Sequence, residues 1–429
     1  MSDRDAGIQP SPTAEVPLGY KRTEIGVIPQ EWELNTVRNL FYTLRNASNS
    51  RADLADSGEI YYIHYGDIHS KWDGVLDFSS DEVPYLKNGV ECKADLLSDG
   101  DLIVADASED QQGVGSSIEV FNLDSRSAIA GLHTIALRPM DCIFAPMFLG
   151  SLFNSHMIKD QLQGLLTGLK VFGISKRNIA QVILPLPPLP EQRAIAAALS
   201  DVDALIAALD DLIAKKRGIK QATMQQLLTG KTRLKGFSGP WEERRLGEIA
   251  TITMGQSPSS AFYNLDGNGL PLIQGNADIE KRQSIERVWT MQANKRCAAG
   301  NILLTVRAPV GFVGIATSEV CLGRGVCGIQ AHQNIDFLFH QLVLCEPQWK
   351  ALEQGSTFTA ANRNQVEQFN ISIPMDGSEQ RAIAEILSDM DAELDALEAR
   401  REKTQQLKQG MMQQLLTGKV RLVTPEETP

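Results

Sequence analysis

Two glycine-rich stretches have the residue types of nucleotide-binding loops, which hold phosphate groups with backbone N–H donors. Gly230-Lys231-Thr232 matches the end of a phosphate loop, but Gln225 occupies the place of the leading glycine and a helical pattern precedes it. Gly323-Arg324-Gly325-Val326-Cys327-Gly328 fits G-x-G-x-x-G, yet no convincing helix follows. We interpret the second stretch as a glycine-rich turn beside a ligand, and neither stretch as a nucleotide site.

Metal-dependent hydrolysis has equally weak support in the sequence. Glu91 and Lys93 follow Asp81 closely and imitate the carboxylate–lysine cluster of a magnesium nuclease, a combination that often arises by chance. The six cysteines include no C-x-x-C pair, and His64 and His69 have no further ligand at metal-binding spacing. The sequence therefore predicts no catalytic residue and no metal site, and we expect reduced cysteines that pack as small core residues.

Composition indicates an ordinary globular protein of two or three domains. The 429 residues are 43% hydrophobic and 22% charged, and no apolar run approaches the roughly 18 residues that a membrane span needs. No signal peptide is evident, so we expect a cytoplasmic protein. The net charge of −12 opposes nucleic-acid binding. If the chain binds DNA, local clusters or a partner subunit must neutralise the phosphates, which favours a complex.

A long internal repeat dominates the sequence. Residues 191–234 and 379–422 align without a gap, 188 positions apart, and agree at 26 of 44 positions. Both copies begin with Glu-Gln-Arg-Ala-Ile-Ala and contain Met-Gln-Gln-Leu-Leu-Thr-Gly-Lys near their ends. Because the register is kept over this length, one structural unit was copied whole.

Each copy has the pattern of one long helix. Apolar residues follow steps of four and three, the heptad seam of a coiled coil, and Gly230 and Gly418 stand where glycines end helices. The predicted length is about 39 residues, or roughly 58 Å. Such a helix needs a partner, and the other copy, running antiparallel, is the most economical one. The seam, assigned to helix–helix packing and subunit docking, comprises Ile195, Leu199, Val202, Ile206, Leu209, Ile383, Leu387, Met390, Leu394 and Leu397.

The segment before each copy carries strand signals instead. Residues 100–103 (Gly-Asp-Leu-Ile) resemble residues 300–303 (Gly-Asn-Ile-Leu), and Trp32 and Trp241 each follow a proline closely near the start of a segment. One fold with two divergent surfaces is the natural interpretation. Runs of strand-forming residues bounded by turn residues occur at 59–65, 101–105, 301–306 and 313–316.

These patterns predict an α+β protein in which two β-rich domains are joined by two long antiparallel helices, an intramolecular coiled coil with a pseudo-two-fold internal repeat. Identical spacers that hold divergent domains favour a protein that recognises two different things at a fixed separation. The predicted segments are a disordered leader (1–21), a first β-rich domain (22–186), a first spacer helix (187–234), a second β-rich domain (235–373), a second spacer helix (374–422) and a tail (423–429).

The sequence resembles the specificity subunits of type I restriction-modification systems. The motifs that carry the resemblance are Gly19-Tyr20-Lys21, the Ile-Gly-Val-Ile-Pro-Gln-Glu-Trp of 25–32, the Pro-Pro-Leu-Pro-Glu-Gln of 187–192 and the two Leu-Leu-Thr-Gly-Lys helix ends. The resemblance extends from residue 19 to residue 422 and includes the order of the segments. Ser378 replaces the usual proline before the second Glu-Gln, which puts the direction of that helix start in doubt.

The resemblance implies a recognition subunit without chemistry of its own. Each β-rich domain would be a target-recognition domain for one half of a bipartite double-stranded DNA sequence. The helices would set the spacing and dock two methylation subunits, and restriction subunits would join that core. No cofactor would bind this chain, because S-adenosylmethionine would belong to the methylation partner of the DNA adenine methyltransferase, and ATP with Mg²⁺ to the ATP-dependent restriction endonuclease.

Base-edge contacts require polar side chains on exposed loops. Helices of the predicted length could hold two domains at major-groove faces about one helical turn, 34–36 Å, apart. The family motifs do not fix which residues contact bases. The loop candidates are Arg45, Asn46, Ser48, Asn49, Tyr65, His69 and Lys71 in the first domain and Gln256, Ser257, Asn276, Arg307, Arg324 and Arg363 in the second.

Two other functions stay open from the residues alone. A stand-alone DNA methyltransferase or nuclease would use residues such as Glu91 and Lys93 and would act without partners. A protein–protein scaffold would have no role on DNA. Activity of the purified chain with cofactor alone would favour the first, and sequence-specific protection of a duplex by an assembled complex would exclude the second.

Overall fold

The computed structural model describes residues 16–108, 113–168, 172–354 and 360–423. The chain divides into two compact units, with Met1–Ala208 and Arg401–Pro429 in unit 1 and Leu209–Arg400 in unit 2. The division falls inside both long helices, so each unit contains one β-rich domain and a part of each helix.

The predicted leader and tail fall mainly on residues 1–15 and 424–429, which lie outside the described residues. Tyr20 and Lys21 do not belong to a leader, because they form the start of the first strand. That strand pairs antiparallel with the next, Tyr20 lying opposite Pro29.

Unit 1 begins with a β-rich domain and continues into the first long helix. Its strands are β1 Tyr20–Thr23, β2 Gly26–Pro29, β3 Glu33–Thr36, β4 Phe41–Thr43, β5 Leu54–Ala55, β6 Ile60–Ile63, β7 Gly74–Asp77, β8 Tyr85–Leu86, β9 Leu102–Ala105, β10 Ala107–Ser108, β11 Ser117–Phe121, β12 Ser127–Ala130, β13 Thr134–Pro139, β14 Phe172–Gly173 and β15 Ile183–Leu186. Its helices are α1 Val37–Leu40, α2 Tyr65–Ser70, α3 Phe148–Phe153, α4 His156–Gln163, α5 Lys176–Ile179 and the beginning of α6 Leu189–Leu227, with a 3₁₀ turn at Arg51–Asp53.

Among the described residues, the domain of unit 1 contains three two-stranded sheets, β1-β2, β10-β14 and β15-β3, and two larger sheets. One larger sheet has the strand order β4-β13-β9-β11-β7 and the other the order β12-β6-β8-β5. The pairs β11–β7 and β12–β6 are parallel, and the other neighbours are antiparallel.

Strand β9 shows why a central strand of the larger sheet has an unbroken apolar sequence. Successive side chains of a strand point to opposite faces. Leu102 and Val104 lie in a core that also contains Trp32, whereas Ile103 and Ala105 lie in a second core between the two larger sheets. Both faces of the strand are therefore covered, as expected for a continuous Val/Ile/Leu-rich sequence.

Unit 2 contains the second β-rich domain, which continues into the second long helix. Its strands are β16 Trp241–Arg245, β17 Ala250–Met254, β18 Tyr263–Asn264, β19 Leu270–Ile273, β20 Ile279–Glu280, β21 Gln283–Ser284, β22 Trp289–Thr290, β23 Arg296–Cys297, β24 Ile302–Thr305, β25 Val313–Ile315, β26 Val320–Leu322, β27 Val326–Ala331 and β28 Asn370–Pro374. Its helices are α7 Leu246–Ile249, α8 Ile335–Leu344, α9 Glu346–Gln354, α10 Arg363–Glu367 and the beginning of α11 Gly377–Leu415, with 3₁₀ turns at Ser260–Phe262 and Asn276–Asp278.

The domain of unit 2 repeats the topology of the domain of unit 1. Its larger sheet has the order β17-β27-β24-β25-β21-β20, which matches β4-β13-β9-β11-β7 with one strand added at the edge. Its second sheet, β23-β26-β19-β22-β18, matches β12-β6-β8-β5, again with one added strand. Strand β24 is buried on both faces like β9. The predicted interpretation of one fold with two divergent surfaces agrees with this strand order.

The two long helices are 39 residues each. Gly230 and Gly418 both have φ +68° just beyond their ends, the left-handed conformation that glycine adopts at helix C-termini. Burial separates the predicted seam into two sets. Ile195, Leu199, Leu209, Ile383, Leu387 and Leu394 are buried, and Val202, Ile206, Met390 and Leu397 are half-buried.

In unit 1 the two helix segments run antiparallel. Ile195 of α6 shares a hydrophobic core with Leu415 of α11. Further along α6, Asp203 pairs with Lys408, which lies closer to the start of α11, with 2.6 Å between the carboxylate oxygen and Nζ. Advancing along one helix therefore means going back along the other.

Unit 2 contains the same arrangement. Ile383 of α11 shares a core with Leu227 of α6, and Asp391 pairs with Lys220. The buried seam residues at the helix ends belong to the cores of the β-rich domains, so they serve packing inside the chain and not docking of another subunit.

The expectation that all cysteines are small core residues is wrong for two of them. Cys142 is exposed and Cys92 is half-buried. The other four, Cys297, Cys321, Cys327 and Cys345, are buried in unit 2.

Candidate functional site

Several loops of unit 1 meet where two parallel strands end. Strands β6 and β12 pair with Ile63 opposite Ala130, so the segments that follow them leave the sheet at the same edge. The amide of Gly131 donates to the carbonyl oxygen of Ile63 at 2.9 Å, and Asn46 Nδ2 donates to the carbonyl oxygen of Gly131 at 3.2 Å. We call this edge loop surface 1; it comprises residues 44–51, 64–71, 106–108 and 131–133.

Tyr65 is the centre of an aromatic cluster on loop surface 1. Its ring centroid lies 4.7 Å from that of His64, 6.2 Å from that of His69 and 5.4 Å from that of His133. The rings of His69 and His133 meet it at 84° and 77°, the edge-to-face arrangement that aromatic quadrupoles favour. The phenol is half-buried, so its position is fixed while part of it stays accessible.

His64 is a neutral support under Tyr65. Its Nδ1 accepts a hydrogen bond from the backbone N–H of Gly66 at 3.0 Å and lies 3.2 Å from Arg51 Nη2, so the ring proton resides on Nε2. Burial, followed by the nearby guanidinium of Arg51, lowers the pKa of His64. Arg51 also donates to Oδ1 of the buried Asp67 at 3.0 Å, which fixes the start of α2.

The corresponding edge of unit 2 has the same backbone contacts. Strands β19 and β26 pair in parallel with Ile273 opposite Leu322, and the amide of Gly323 donates to the carbonyl oxygen of Ile273 at 2.7 Å. The amide of Gln256 donates to the carbonyl oxygen of Leu322 at 2.9 Å. In unit 1 the amide of Ala47 donates to the carbonyl oxygen of Ala130 at 2.7 Å in the same way. We call this edge loop surface 2; it comprises residues 254–260, 274–278, 305–309 and 323–325.

Ser257 and Arg324 form the best-defined polar contact on loop surface 2. Ser257 Oγ accepts hydrogen bonds from the backbone N–H of Arg324 at 3.0 Å and from its Nε at 3.4 Å. The arginine side chain is exposed. A guanidinium held at its Nε keeps its outer N–H donors available for a carboxylate, a phosphate or a base edge.

The G-x-G-x-x-G match belongs to this surface and not to a nucleotide site. A Cβ added at Gly325 would lie 1.9 Å from the carbonyl oxygen of Gln274, and one at Gly323 would lie 2.9 Å from Cγ of the same residue. Glycine is therefore required by the close approach of two loops. The stretch leads into strand β27, whereas a dinucleotide fingerprint leads into a helix.

The other tempting motifs also have structural explanations. Gly230 follows a helix and lies against the ring of Trp241. Glu91 and Lys93 form an ion pair of 3.3 Å with side chains that are 82% and 84% exposed, and Asp81 instead accepts a hydrogen bond from the backbone of Asp77 at 2.8 Å. Among the described residues, no group of three or more His, Cys, Asp or Glu side chains could hold a metal ion.

The structure places many of the predicted contact residues on the two loop surfaces. Asn46, Tyr65 and His69 lie on loop surface 1, where His69 Nε2 is 3.3 Å from the carbonyl oxygen of Ala107. Ser48 is exposed on the same surface. The residues on loop surface 2 are Gln256, Ser257, Asn276, Arg307 and Arg324, of which Gln256, Asn276, Arg307 and Arg324 are exposed.

Four predicted contact residues interact with neighbours within the chain, and three of them, Arg45, Asn49 and Lys71, also lie on loop surface 1. Arg45 pairs with Asp95 at 2.7 Å, Lys71 with Asp67 at 3.4 Å and Arg363 with Glu367 at 2.7 Å. Asn49 Nδ2 is 3.5 Å from the carbonyl oxygen of Glu91. Whether any predicted residue contacts DNA stays a prediction.

The expectation that all candidates lie on loops is wrong for several of them. Tyr65 and His69 belong to α2, Arg363 to α10, and Asn276 to a 3₁₀ turn. The predicted strand at 59–65 ends at Ile63, because the imidazole of His64 caps the helix that follows.

Sequence analysis overlooked Arg51, His64, His133 and Gln274 on the two surfaces. Gln274 stands in the same position after β19 that His64 has after β6, an equivalence that depends on the strand pairing. Nothing in the sequence marks His133, whose importance depends on a backbone conformation described below.

The repeat is held by a buried ion pair that occurs once in each unit. In unit 1 the side chain of Arg421 pairs with Glu191, with Nη2 2.9 Å from Oε2, and Trp32 Nε1 donates to the same carboxylate at 2.8 Å. In unit 2 Arg233 pairs with Glu379 through two bonds of 2.6 and 2.7 Å. Both glutamates are 1% exposed, and the partners are equivalent positions of the repeat.

Two further pairs of equivalent positions in the repeat, Asp203 with Asp391 and Lys220 with Lys408, form the Lys–Asp pairs described above. Lys408 contacts both Asp203 and Asp73 at 2.6 Å in unit 1, and Lys220 contacts Asp391 in unit 2. Burial lowers the pKa of Lys408, but the two carboxylates outweigh it, so the pKa is raised and the ammonium form is stabilised. The repeat has kept the residues that fix the register of the two helices.

Helices that could cross a membrane are not found among the described residues. The geometry defines a class of protein: two β-rich domains of one topology, each with a polar loop surface, attached to a duplicated helix pair whose buried contacts are alike.

Comparisons with known proteins agree with this class. The family model of the type I restriction modification DNA specificity domain matches residues 29–215 and 238–409. The chain belongs to this family.

Relatives and solved structures extend along most of the chain. A protein of Methanocaldococcus jannaschii described as the type I restriction enzyme MjaX specificity subunit is 29% identical over 421 residues, with 94% of this chain and 97% of that protein covered. The MjaVIII specificity subunit of the same organism is 24% identical over 387 residues, covering 83% and 88%.

Two solved structures share the fold. A chain from a structure concerned with complex assembly and conformational transition of the type I R-M system has a TM-score of 0.59 at 23% identity, covering 92% of this chain and 99% of that one. The S subunit of a type I restriction-modification system from M. genitalium has a TM-score of 0.57 at 15% identity, covering 90% and 96%.

Proposed function

We propose that this chain is the DNA-recognition subunit of a type I restriction-modification complex and catalyses no reaction itself. Each β-rich domain, with the boundaries 22–186 and 235–373, reads one half of a bipartite duplex. The two helices form one antiparallel coiled coil, relate the two halves by a pseudo-two-fold axis and set the separation of the half-sites.

One observation carries this proposal. Corresponding backbone contacts place loop surfaces 1 and 2 at equivalent edges of one topology, yet the side chains on them differ. His64 on surface 1 corresponds to Gln274 on surface 2, and Ala107 corresponds to Arg307. Direct readout depends on which donors and acceptors face the base edges, so two domains that read different half-sites must differ there while their scaffolds agree.

The exposed residues of the helices favour the binding of two copies of one partner. Positions that stay identical in both copies of the repeat, although they are exposed, are not explained by packing. Two equivalent patches on a duplicated scaffold fit two methylation subunits, which would carry S-adenosylmethionine, while restriction subunits would supply ATP and Mg²⁺ chemistry. The identical exposed pairs include Arg193 and Arg381, Asp201 and Asp389, Lys215 and Lys403, Gln221 and Gln409, and Gln225 and Gln413.

A charge reversal tests this docking. R193E and R381E each alter one patch, and we expect each variant to retain one methylation subunit where the native chain retains two, measured by native mass spectrometry of the purified complex. E402K, an exposed position that the repeat does not conserve, is the control. Two subunits on both single variants would contradict the assignment of these patches.

The acidic chain also favours a complex, since its net charge of −12 leaves phosphate neutralisation to local clusters and to partners. We propose that the assembly acts in the cytoplasm.

Sequencing of methylated DNA tests the function. We compare methylated positions in cells with the gene and without it. The proposal expects one bipartite adenine-methylation motif to disappear with the gene. An unchanged set of methylated motifs, in a cell that expresses the partner subunits, would contradict it.

A further inference from the structure

We propose that His133 is a specificity-determining residue of the first domain that reads a base edge in the major groove; this inference rests on the function proposed above. The residue lies on loop surface 1 between the strands β12 and β13, two residues after Gly131 and directly before Thr134, the first residue of β13. It lies outside the short sequence motifs that carry the resemblance to the family.

The backbone of His133 has an uncommon conformation. Its φ is +58°, in the left-handed region that most side chains avoid and glycine adopts readily. Histidine at such a position costs stability relative to glycine, so a histidine there calls for a contribution from its side chain.

The side chain of His133 is held from within the domain but remains accessible. Its Nδ1 lies 3.4 Å from Oδ1 of Asp106, and its ring meets that of Tyr65 edge to face at 5.4 Å. The imidazole is 50% exposed. A ring supported by a carboxylate and an aromatic neighbour is pre-organised, so little conformational entropy is lost when it binds.

The orientation of the ring determines which bases it suits. A neutral imidazole whose Nδ1–H faces a carboxylate has an unprotonated Nε2, which accepts hydrogen bonds. In the major groove the donors are the N6 amino group of adenine and the N4 amino group of cytosine. The neutral form of His133 therefore suits a base pair that presents one of these amino groups.

The second domain places different chemistry at this loop. In the first domain the amide of Asp106 donates to the carbonyl oxygen of His133 at 3.1 Å. In the second domain the amide of Val306 donates to the carbonyl oxygen of Gly325 at 2.8 Å. Gly325 therefore occupies the position that corresponds to His133. The exposed side chain in the second domain comes from the preceding residue, Arg324, which presents donors only. An acceptor on one surface and donors on the other suit two half-sites of different sequence.

The substitution H133G tests the inference without threatening the fold, because glycine adopts φ +58° without strain. The matched control is D124G. Asp124 has φ +52°, is 74% exposed at its side chain, and precedes the same strand, β12, that His133 follows. Both variants change the backbone in the same way at opposite ends of one strand.

The experiment uses the full chain assembled with its methylation subunits and a library of duplexes randomised in both half-sites. For H133G we expect discrimination at one base pair of the first half-site to fall by about 5- to 150-fold, while the second half-site stays unchanged. For D124G we expect the native selection. Unfolding midpoints of the two variants should lie close together.

Two results would overturn the inference while leaving the proposed function intact. One is native sequence selection by H133G. The other is a uniform loss of affinity for all duplexes, which would assign His133 to a phosphate contact. A native complex that selects no sequence would instead refute the proposed function and this inference with it.

Discussion

The duplicated helices and the duplicated β-rich domains have diverged to very different degrees. The helix copies agree at 26 of 44 positions, and their shared residues include the buried pairs Glu191–Arg421 and Glu379–Arg233. The two domains share a strand order but have few side chains in common on their loop surfaces. Burial explains the part of the contrast that concerns these ion pairs, because a buried charge tolerates no loss of its partner, whereas an exposed loop residue is free to change.

The largest expected effect tests the conserved side of this contrast. R421M removes the partner of the buried Glu191 carboxylate and should lower the free energy of unfolding by about 3 kcal/mol. Urea denaturation measures it. K419M, at an exposed and equally repeated position, should change it by less than about 0.5 kcal/mol. Equal effects of the two substitutions would contradict the role given to the ion pair.

The two units should also respond to pH in opposite directions. In unit 2 burial lowers the pKa of His340 to about 4, and the ring lies 3.2 Å from Ser388 Oγ on α11. A depressed histidine pKa means that the unfolded chain binds the extra proton first, so stability is complete above the unfolded pKa and is lost as pH falls from about 6.5 to 4. The loss should reach about 2 kcal/mol by pH 4.5 in urea denaturation, and H340Q should abolish it.

Unit 1 contains the opposite case. Burial raises the pKa of Glu119 to about 7. A raised pKa means that the folded chain retains the proton, so this contribution is complete below the unfolded pKa and is lost as pH rises from about 4.5 through 7. We expect this contribution to the free energy of unfolding to fall by about 2 kcal/mol between pH 5 and pH 8, again measured by urea denaturation. E119Q should flatten the dependence; an unchanged slope would show that other groups cause it.

The divergent side of the contrast is tested on loop surface 2. R324A removes an exposed guanidinium that Ser257 positions, and it should cost about 2 kcal/mol of discrimination at one base pair of the second half-site. Competition binding between matched and mismatched duplexes measures it. S257A should act in the same direction but more weakly. A change at the first half-site would contradict the separation of the two domains.

The smallest expected effect concerns the support of loop surface 1. The hydroxyl of Tyr62 donates to the carbonyl oxygen of Asn49 and accepts from the amide of Leu132 at 2.9 Å. Y62F leaves both groups unpaired and should cost about 1 kcal/mol of stability. It should also weaken selection at the first half-site, whereas Y61F, which removes only the hydroxyl contact with Tyr85, should not.

Much of the scaffold could be predicted from the sequence. The length of the helices follows from heptad spacing and glycine ends, which depend only on local geometry, and the central strands follow from apolar runs such as Leu102–Ala105. The relation of the two domains could be suspected from short similar stretches. The strand order could not, because pairing between distant segments leaves no local pattern.

The loop surfaces were predictable only in part. Residue type suggested Ser257 and Arg324, and the structure joins them. Residue type could not indicate that Arg45 and Arg363 are held by neighbouring carboxylates, since such pairing depends on the fold. The left-handed backbone of His133 is likewise a product of the surrounding loops, and no propensity of histidine predicts it.

The most direct test of the central claim is an exchange of residues 22–186 for the corresponding segment of a relative with a different target, followed by sequencing of methylated DNA. The account predicts that one half of the bipartite motif changes while the other half and the spacing between them stay the same. A change in both halves, or in neither, would contradict the claim that two independent domains on a shared helical scaffold each read one half-site.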